Sequence, residues 1–273
     1  MPYITTRDNH NLYLKDWGTG RPVIMIHGWP LSADSWDDVA VPIAEAGFRA
    51  IAYDRRGFGR SDQPWDGYNY DTFADDLAAV IEATGATNAA LFGFSMGGGE
   101  VARYLSRHSG KGVSQAALIG SVVPYLLKTD NNPNGVPQAV FDQIIAGIQK
   151  DRAHFFAGFF KTFFGVGMLS SPVSDELLEW ARDVALDASL KATLECVVAF
   201  AGTDFRPDLA AFTLPTLIIH GTADQIVPID VSSRLTAKAL PNAKFIEYDG
   251  APHGLFATHR ERLTGDLLAF LRG

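Results

Sequence analysis

The sequence predicts an α/β protein: a mostly parallel, eight-stranded sheet with helices on both faces and an inserted helical cap. Three observations carry that expectation. Apolar, strand-like runs alternate with helical patterns through residues 1–120 and again through 212–273, the pattern of βαβ units around a covered parallel sheet. Residues 121–211 hold helical patterns and no strand-like run flanked by sheet connections. Within the first block, Gly93-Phe94-Ser95-Met96-Gly97 reads as a sharp turn between a strand and a helix.

Residues 3–6 and 11–17 alternate like a hairpin around Asp8-Asn9-His10. Pro22-Val23-Ile24-Met25-Ile26 is a buried-strand run ending in His27-Gly28-Trp29-Pro30, followed by a helix near 36–46 and a strand over 49–53. The spacing predicts a helix over 72–84, with Phe73, Leu77, Val80 and Ile81 on one face and Asp71 as its cap. Residues 89–92 are strand-like; the glycine-rich turn and a helix follow, then a strand over 116–119. The cap carries turn signals at 128–135 and helical patterns over 138–150, 152–164, 175–186 and 189–200. Its Phe155, Phe156, Phe159, Phe160, Phe163 and Phe164 form an aromatic face, read mainly as packing onto the core, with one or two roofing a pocket. Alternation then resumes: a strand through Leu217-Ile218-Ile219, Asp230 as cap of a helix over 231–240, a strand over 243–248 and a last helix over 260–271.

The serine turn points to nucleophilic catalysis. Its glycines relieve crowding where the backbone is strained, leave the Ser95 Oγ above the sheet, and put the Met96 N–H at a helix start. A serine hydroxyl is a weak nucleophile, so a base and a group to orient that base are required. His253, in the turn-rich Asp249-Gly250-Ala251-Pro252-His253-Gly254 after the 243–248 strand, is the candidate base; Asp224, after Leu217–His220 and a glycine turn, is the candidate acid. Alone, His253 could be a surface-loop histidine and Asp224 a helix cap. The chain order Ser95, Asp224, His253 decides for a triad, and it is the α/β-hydrolase order. His27, His220 and His259 compete for the base; the first two end strands beside glycine turns and read as loop supports, while His259 starts the last helix. A His-Gly turn after the 22–26 strand directs the Trp29 N–H, with that of Met96, at a developing oxyanion. The Trp29 side chain is a candidate wall of the acyl pocket, or else a core tryptophan.

Composition narrows the class. The 273 residues suffice for a sizeable core, and 47% hydrophobic with 20% charged residues is ordinary for a soluble globular chain. With 23 basic against 31 acidic side chains the net charge is −8, which argues against nucleic acid or an anionic membrane as partner. The single cysteine, Cys196, excludes an internal disulfide and lies in an apolar run as a packing thiol. The N-terminal segment lacks the basic and apolar regions of a signal peptide, and no apolar run approaches membrane-spanning length, so a cytoplasmic protein is expected.

Taken together, His27-Gly28-Trp29-Pro30-Leu31-Ser32, Asp54-Arg55-Arg56-Gly57-Phe58-Gly59-Arg60-Ser61, residues 93–104, Gly120-Ser121-Val122-Val123-Pro124, Asp130-Asn131-Asn132-Pro133, residues 221–224 and residues 251–254 resemble the cofactor-free haloperoxidase and aryl esterase group of α/β-hydrolases. The resemblance covers essentially the whole chain. It implies a serine hydrolase without metal or haem that cleaves small esters, with water or hydrogen peroxide as acyl acceptor; peroxide yields a peracid able to oxidise halide. It also suggests homo-oligomers, with the aromatic-rich cap as a candidate surface. A γ-lactamase or a carbon–carbon bond hydrolase would keep the same triad, and a ligand-binding receptor could retain it without turnover. Dehalogenases and epoxide hydrolases of the fold use an aspartate nucleophile, so Ser95 counts against both. Residues 54–61 read as a brace for neighbouring loops rather than an anion site. Pro30 has no N–H, fixes its own φ and biases Trp29 away from helical geometry, which sets the direction of the Trp29 carbonyl. Members of the resembled group with this proline are associated with better perhydrolysis, so Pro30 is a candidate specificity residue.

Overall fold

The computed structural model describes residues 2–168 and 170–273; Met1 and Leu169 lie outside the described residues. Its strands are β1 (Tyr3–Thr5), β2 (Asn11–Gly18), β3 (Pro22–Ile26), β4 (Arg49–Tyr53), β5 (Ala89–Phe94), β6 (Val113–Ile119), β7 (Thr216–Gly221) and β8 (Lys244–Tyr248). They form one sheet in the order β1-β2-β4-β3-β5-β6-β7-β8. β1 and β2 pair antiparallel at one edge, β2 pairs antiparallel with β4, and every pairing from β4 to β8 is parallel. The strand-to-helix connections therefore emerge together at the C-terminal ends of the parallel strands, where ligands of open α/β sheets bind.

The helices are α1 (Asp37–Glu45), α2 (Tyr70–Thr84), α3 (Met96–Arg107), α4 (Gln138–Phe163), α5 (Asp175–Asp187), α6 (Leu190–Gly202), α7 (Ser233–Ala239), α8 (Leu255–Thr258) and α9 (Arg260–Arg272). Strand parity separates two packed layers. Ile24, Ile26, Ile51, Leu91 and Leu118 meet Leu77 and Val80 of α2 and Val101 and Leu105 of α3. Val23, Met25, Ala50, Ala52, Ala90 and Ala117 belong to a second cluster with α1, α9 and the cap. β3, β5 and β7 are buried along their whole length, which explains their continuous apolar runs.

Between β6 and β7 the chain forms α4, α5, α6 and a 3-10 turn at Arg206–Ala211, and among the described residues adds no strand to the sheet. The two helical patterns of 138–164 run together as α4, yet the backbone leaves helical geometry at Asp151 (φ −162°, ψ 92°), between them. The Asp151 carboxylate accepts the His154 N–H at 2.9 Å and so restarts the helix. Phe156, Phe160, Phe163 and Phe164 are buried within the chain, whereas Phe155 and Phe159 are partly exposed.

Two helix starts differ from expectation. α2 begins at Tyr70, and its cap is Asn69, which accepts the Thr72 N–H at 3.1 Å, not Asp71. Burial of Tyr70 against Phe73 and Phe205 extends the helix backwards. Asp230 does not cap α7: it lies within the 3-10 turn Ile229–Val231 and pairs with Arg234 at 2.6 Å, while α7 starts after Ser232. No helix among the described residues is long and apolar enough to cross a membrane.

Candidate active site

Ser95 joins β5 to α3 with φ 54° and ψ −117°, a left-handed region that strains a residue bearing a Cβ. The strain is held from both sides: Ser95 N–H donates to Ile119 O at 2.8 Å, and Ser95 O accepts from Val122 N–H at 3.3 Å. The start of α3 lies against the end of β3, where a Cβ on Gly97 would fall 2.5 Å from the Ile26 carbonyl oxygen. Only glycine permits that approach, which is why the turn needs one.

His253 lies in the loop after β8, 1% exposed, with its ring 4.9 Å from that of Phe94 and 4.8 Å from that of Phe163. Its Nδ1 is 2.6 Å from Asp224 Oδ2, and its buried Nε2 has no hydrogen-bond partner among the described residues. The ring lies against Gly120, between the two residues that bond the Ser95 backbone, Ile119 and Val122. Asp224 is saturated with donors: Oδ1 accepts the N–H groups of Ile226 (2.9 Å) and Val227 (2.8 Å), and Oδ2 also lies 3.1 Å from His220 Nε2. Burial opposes its ionisation, but the facing His253 and His220 outweigh burial and hold its carboxyl well below the usual carboxylate range. An orientable imidazole with one edge on a carboxylate and the other free can take up and return a proton.

The Trp29 and Met96 N–H groups donate no hydrogen bond among the described residues, and the Trp29 carbonyl accepts none. The Trp29–Pro30 peptide is cis. The turn packs directly on the serine: a Cβ on Gly28 would fall 2.9 Å from Ser95 Cβ. A cavity of about 50 Å3 above Ser95 is lined by Trp29, Phe159, Phe200, Phe141, Val122, Ile226 and other apolar side chains. Trp29 meets Phe156, Phe159 and Phe200 edge-on, and its Nε1 donates to Thr193 O at 3.0 Å, so the indole is both packed and lining. Of the six phenylalanines between residues 155 and 164, Phe159 lines this cavity. Sequence reasoning missed most of the remaining wall, because it is assembled from ordinary apolar residues of four separate segments.

The other histidines differ in place. His220, fully buried on β7, bonds Ser233 Oγ through Nδ1 (2.6 Å) and Val227 O through Nε2 (2.8 Å), so besides bracing the following loop it touches Asp224. Its spacing of four residues from Asp224 was the only available signal. His27 accepts the Arg55 N–H at Nε2 (3.0 Å), which leaves Nδ1–H to donate to Gly28 O at 2.9 Å. His259 sits between α8 and α9 beside Thr258, apart from these contacts. In residues 54–61, Asp54 accepts from the Ala33 N–H and Arg60, and Arg56 pairs with Asp76 (2.6 Å) and Asp8 (2.8 Å), tying this segment to the Ala33 turn, the Asp8 turn and α2. Cys196 is fully buried, which pushes its thiol up to about 12 and leaves it a packing group.

A model of the alpha/beta hydrolase fold family matches residues 21–260. A non-heme chloroperoxidase of Kitasatospora aureofaciens is 41% identical over 273 residues, 99% of each chain. A bifunctional esterase/perhydrolase of Acinetobacter calcoaceticus is 43% identical over 279 residues, 100% of each chain. Among solved structures, a bromoperoxidase from Bacillus anthracis superposes with a TM-score of 0.95 at 45% identity, covering 99% of each chain.

Proposed function

The chain belongs to the α/β-hydrolase fold family, and from that premise we propose that it is a serine esterase with perhydrolase activity. Its substrates are small carboxylic esters; water and hydrogen peroxide compete for the acyl-enzyme. Ser95, Asp224 and His253 form the triad, Trp29 and Met96 supply the oxyanion hole, and Trp29 with Pro30 shapes the acyl site. The core is residues 1–120 and 212–273, with 121–211 as its cap. The observation that carries this reading is the Asp224–His253 hydrogen bond, with Nε2 unpartnered among the described residues and the ring packed on Phe94, the residue before the strained Ser95.

In the proposed cycle Ser95 Oγ attacks the ester carbonyl while His253 Nε2 takes its proton, and Asp224 stabilises the imidazolium. The carbonyl oxygen becomes an oxyanion held by the Trp29 and Met96 N–H groups, each worth about 3–4 kcal/mol in the transition state. His253 returns the proton to the leaving alkoxide, giving alcohol and acyl-Ser95. It then deprotonates water or hydrogen peroxide, and collapse of the second tetrahedral adduct releases acid or peracid and restores Ser95–OH. The perhydrolase part is supported by the similarity to the esterase/perhydrolase and by the Trp29 carbonyl, which is unpartnered among the described residues and a ready acceptor for the extra peroxide O–H. The confined apolar cavity favours short, uncharged acyl groups. A cytoplasmic location belongs to the same proposal; the buried, unpaired Cys196 is compatible with it.

Initial rates on p-nitrophenyl acetate and butyrate test this reading. Turnover should fall by at least ~10³-fold in Ser95→Ala. Turnover that survives would exclude Ser95 as nucleophile, and none by the unaltered protein would move weight to a lactamase or carbon–carbon hydrolase.

A further inference from the structure

The two proposed oxyanion donors come from different elements: Trp29 from the loop after β3, Met96 from the first turn of α3. A hole that works must hold them in fixed register, since small displacements in a site of this kind are costly in rate. One buried side chain touches both sides. Arg55, just after β4, donates from Nη2 to His27 O (2.9 Å) and from Nε to Glu100 Oε2 (2.8 Å). Its backbone N–H also holds the His27 ring, which in turn holds Gly28 O. Glu100 lies one helical turn beyond Met96, and its other carboxylate oxygen accepts the Tyr53 hydroxyl. The oxyanion loop and the nucleophile helix, which already pack on each other at Gly28 and Ser95, are thus also bridged by the Arg55–Glu100 pair.

This pair is a poor device for stability alone. Arg55 and Glu100 side chains are both 0% exposed, and Arg55 Nη1 has no partner among the described residues. Desolvation offsets much of the attraction in such a pair, and apolar replacements are often as stable. The guanidinium fork, in contrast, suits a link that must reach two acceptors in fixed directions. We propose that Arg55 and Glu100 are positioning residues that set the Trp29 and Met96 N–H groups against each other. The inference rests on the proposed esterase reading and touches no substrate atom itself.

The test uses Arg55→Met/Glu100→Leu, Glu100→Gln and Arg55→Lys, measured for kcat, KM, Tm and inhibition by phenylboronic acid, which forms a tetrahedral adduct on a nucleophilic serine. In the double apolar variant Tm should stay near that of the unaltered protein, while kcat falls roughly 10- to 100-fold with little change in KM. Boronate affinity should weaken by a similar factor, because the adduct uses the same donors. Unaltered kcat at unaltered Tm would overturn the inference, as would a loss of kcat with boronate affinity intact. Should the double variant fail to fold, Glu100→Gln and Arg55→Lys are read by the same criterion: parallel losses support it, and unaltered kcat and boronate affinity overturn it. Ser95→Ala separates the two readings: turnover that survives it overturns both, whereas turnover that needs Ser95 but ignores the ion pair overturns this inference alone.

Discussion

Pro30 and His27 flank the same turn, and each carries a consequence that a single substitution reads. Proline fixes its own φ and constrains Trp29, whose carbonyl is unpartnered among the described residues. Pro30→Leu should therefore lower the ratio of peracid to acid formed from one ester in the presence of hydrogen peroxide; an unchanged ratio would remove Pro30 from the specificity argument. His27 is held well below its ordinary value of 6.5 by burial, with the nearby Arg55 charge acting in the same direction. Below that ordinary value the unfolded chain binds a proton that the folded chain refuses, so stability falls as pH drops, by about 1.4 kcal/mol per pH unit within the window. His27→Gln should flatten the fall of the urea midpoint between about pH 7 and 5; equal slopes would mean that another group carries it. The Asp224 contribution has the opposite kind of origin: a lowered carboxyl stabilises the fold above its ordinary value of 3.8 and loses that effect as pH falls further.

At the scale of elements, α4 divides its phenylalanines between two tasks. Phe156, Phe160 and Phe163 are fully buried, whereas Phe159 meets Trp29 edge-on at 5.3 Å and lines the cavity over Ser95. Helical spacing alone cannot separate these tasks, because adjacent positions sweep a broad apolar face. Removing the Phe159 ring enlarges the cavity, and it also removes that ring's contacts with Trp29, Phe160 and Phe163. Phe159→Ala should raise the preference for p-nitrophenyl hexanoate over acetate by roughly tenfold, as a pocket fitted to about one or two methylenes would. No change in chain-length preference would place the acyl group elsewhere. The break at Asp151 gives α4 its two directions: the half before it brings Phe141 to the cavity, and the half after it brings Phe159.

For the whole molecule, the sheet and the cap share one continuous cluster. Val23, Phe92 and Ile119 of the strands belong to it together with Phe156, Phe160, Ala185 and Cys196 of the cap. A cap sharing that much buried apolar surface has little stability apart from the sheet. Far-UV circular dichroism and tryptophan fluorescence should therefore give coincident urea transitions, with no separate melting of the cap; two resolved transitions would show that the shared cluster does not couple them.

Much of this architecture is legible before any contact is known. Apolar runs at strand length, glycines at strand ends, and the order of Ser95, Asp224 and His253 are local features, so backbone sterics and burial periodicity are enough to read the parallel sheet, the turn and the candidate triad. The helix starts were less legible, since Asn69 replaces Asp71 as cap only because Tyr70 finds a buried partner far along the chain at Phe205. Most of the cavity wall beyond Trp29 and Phe159, the His220 contact with Asp224 and the Arg55–Glu100 link were decided by tertiary structure. Each joins residues whose types are ordinary taken singly, and only folding brings their charges, donors and apolar surfaces within reach of one another.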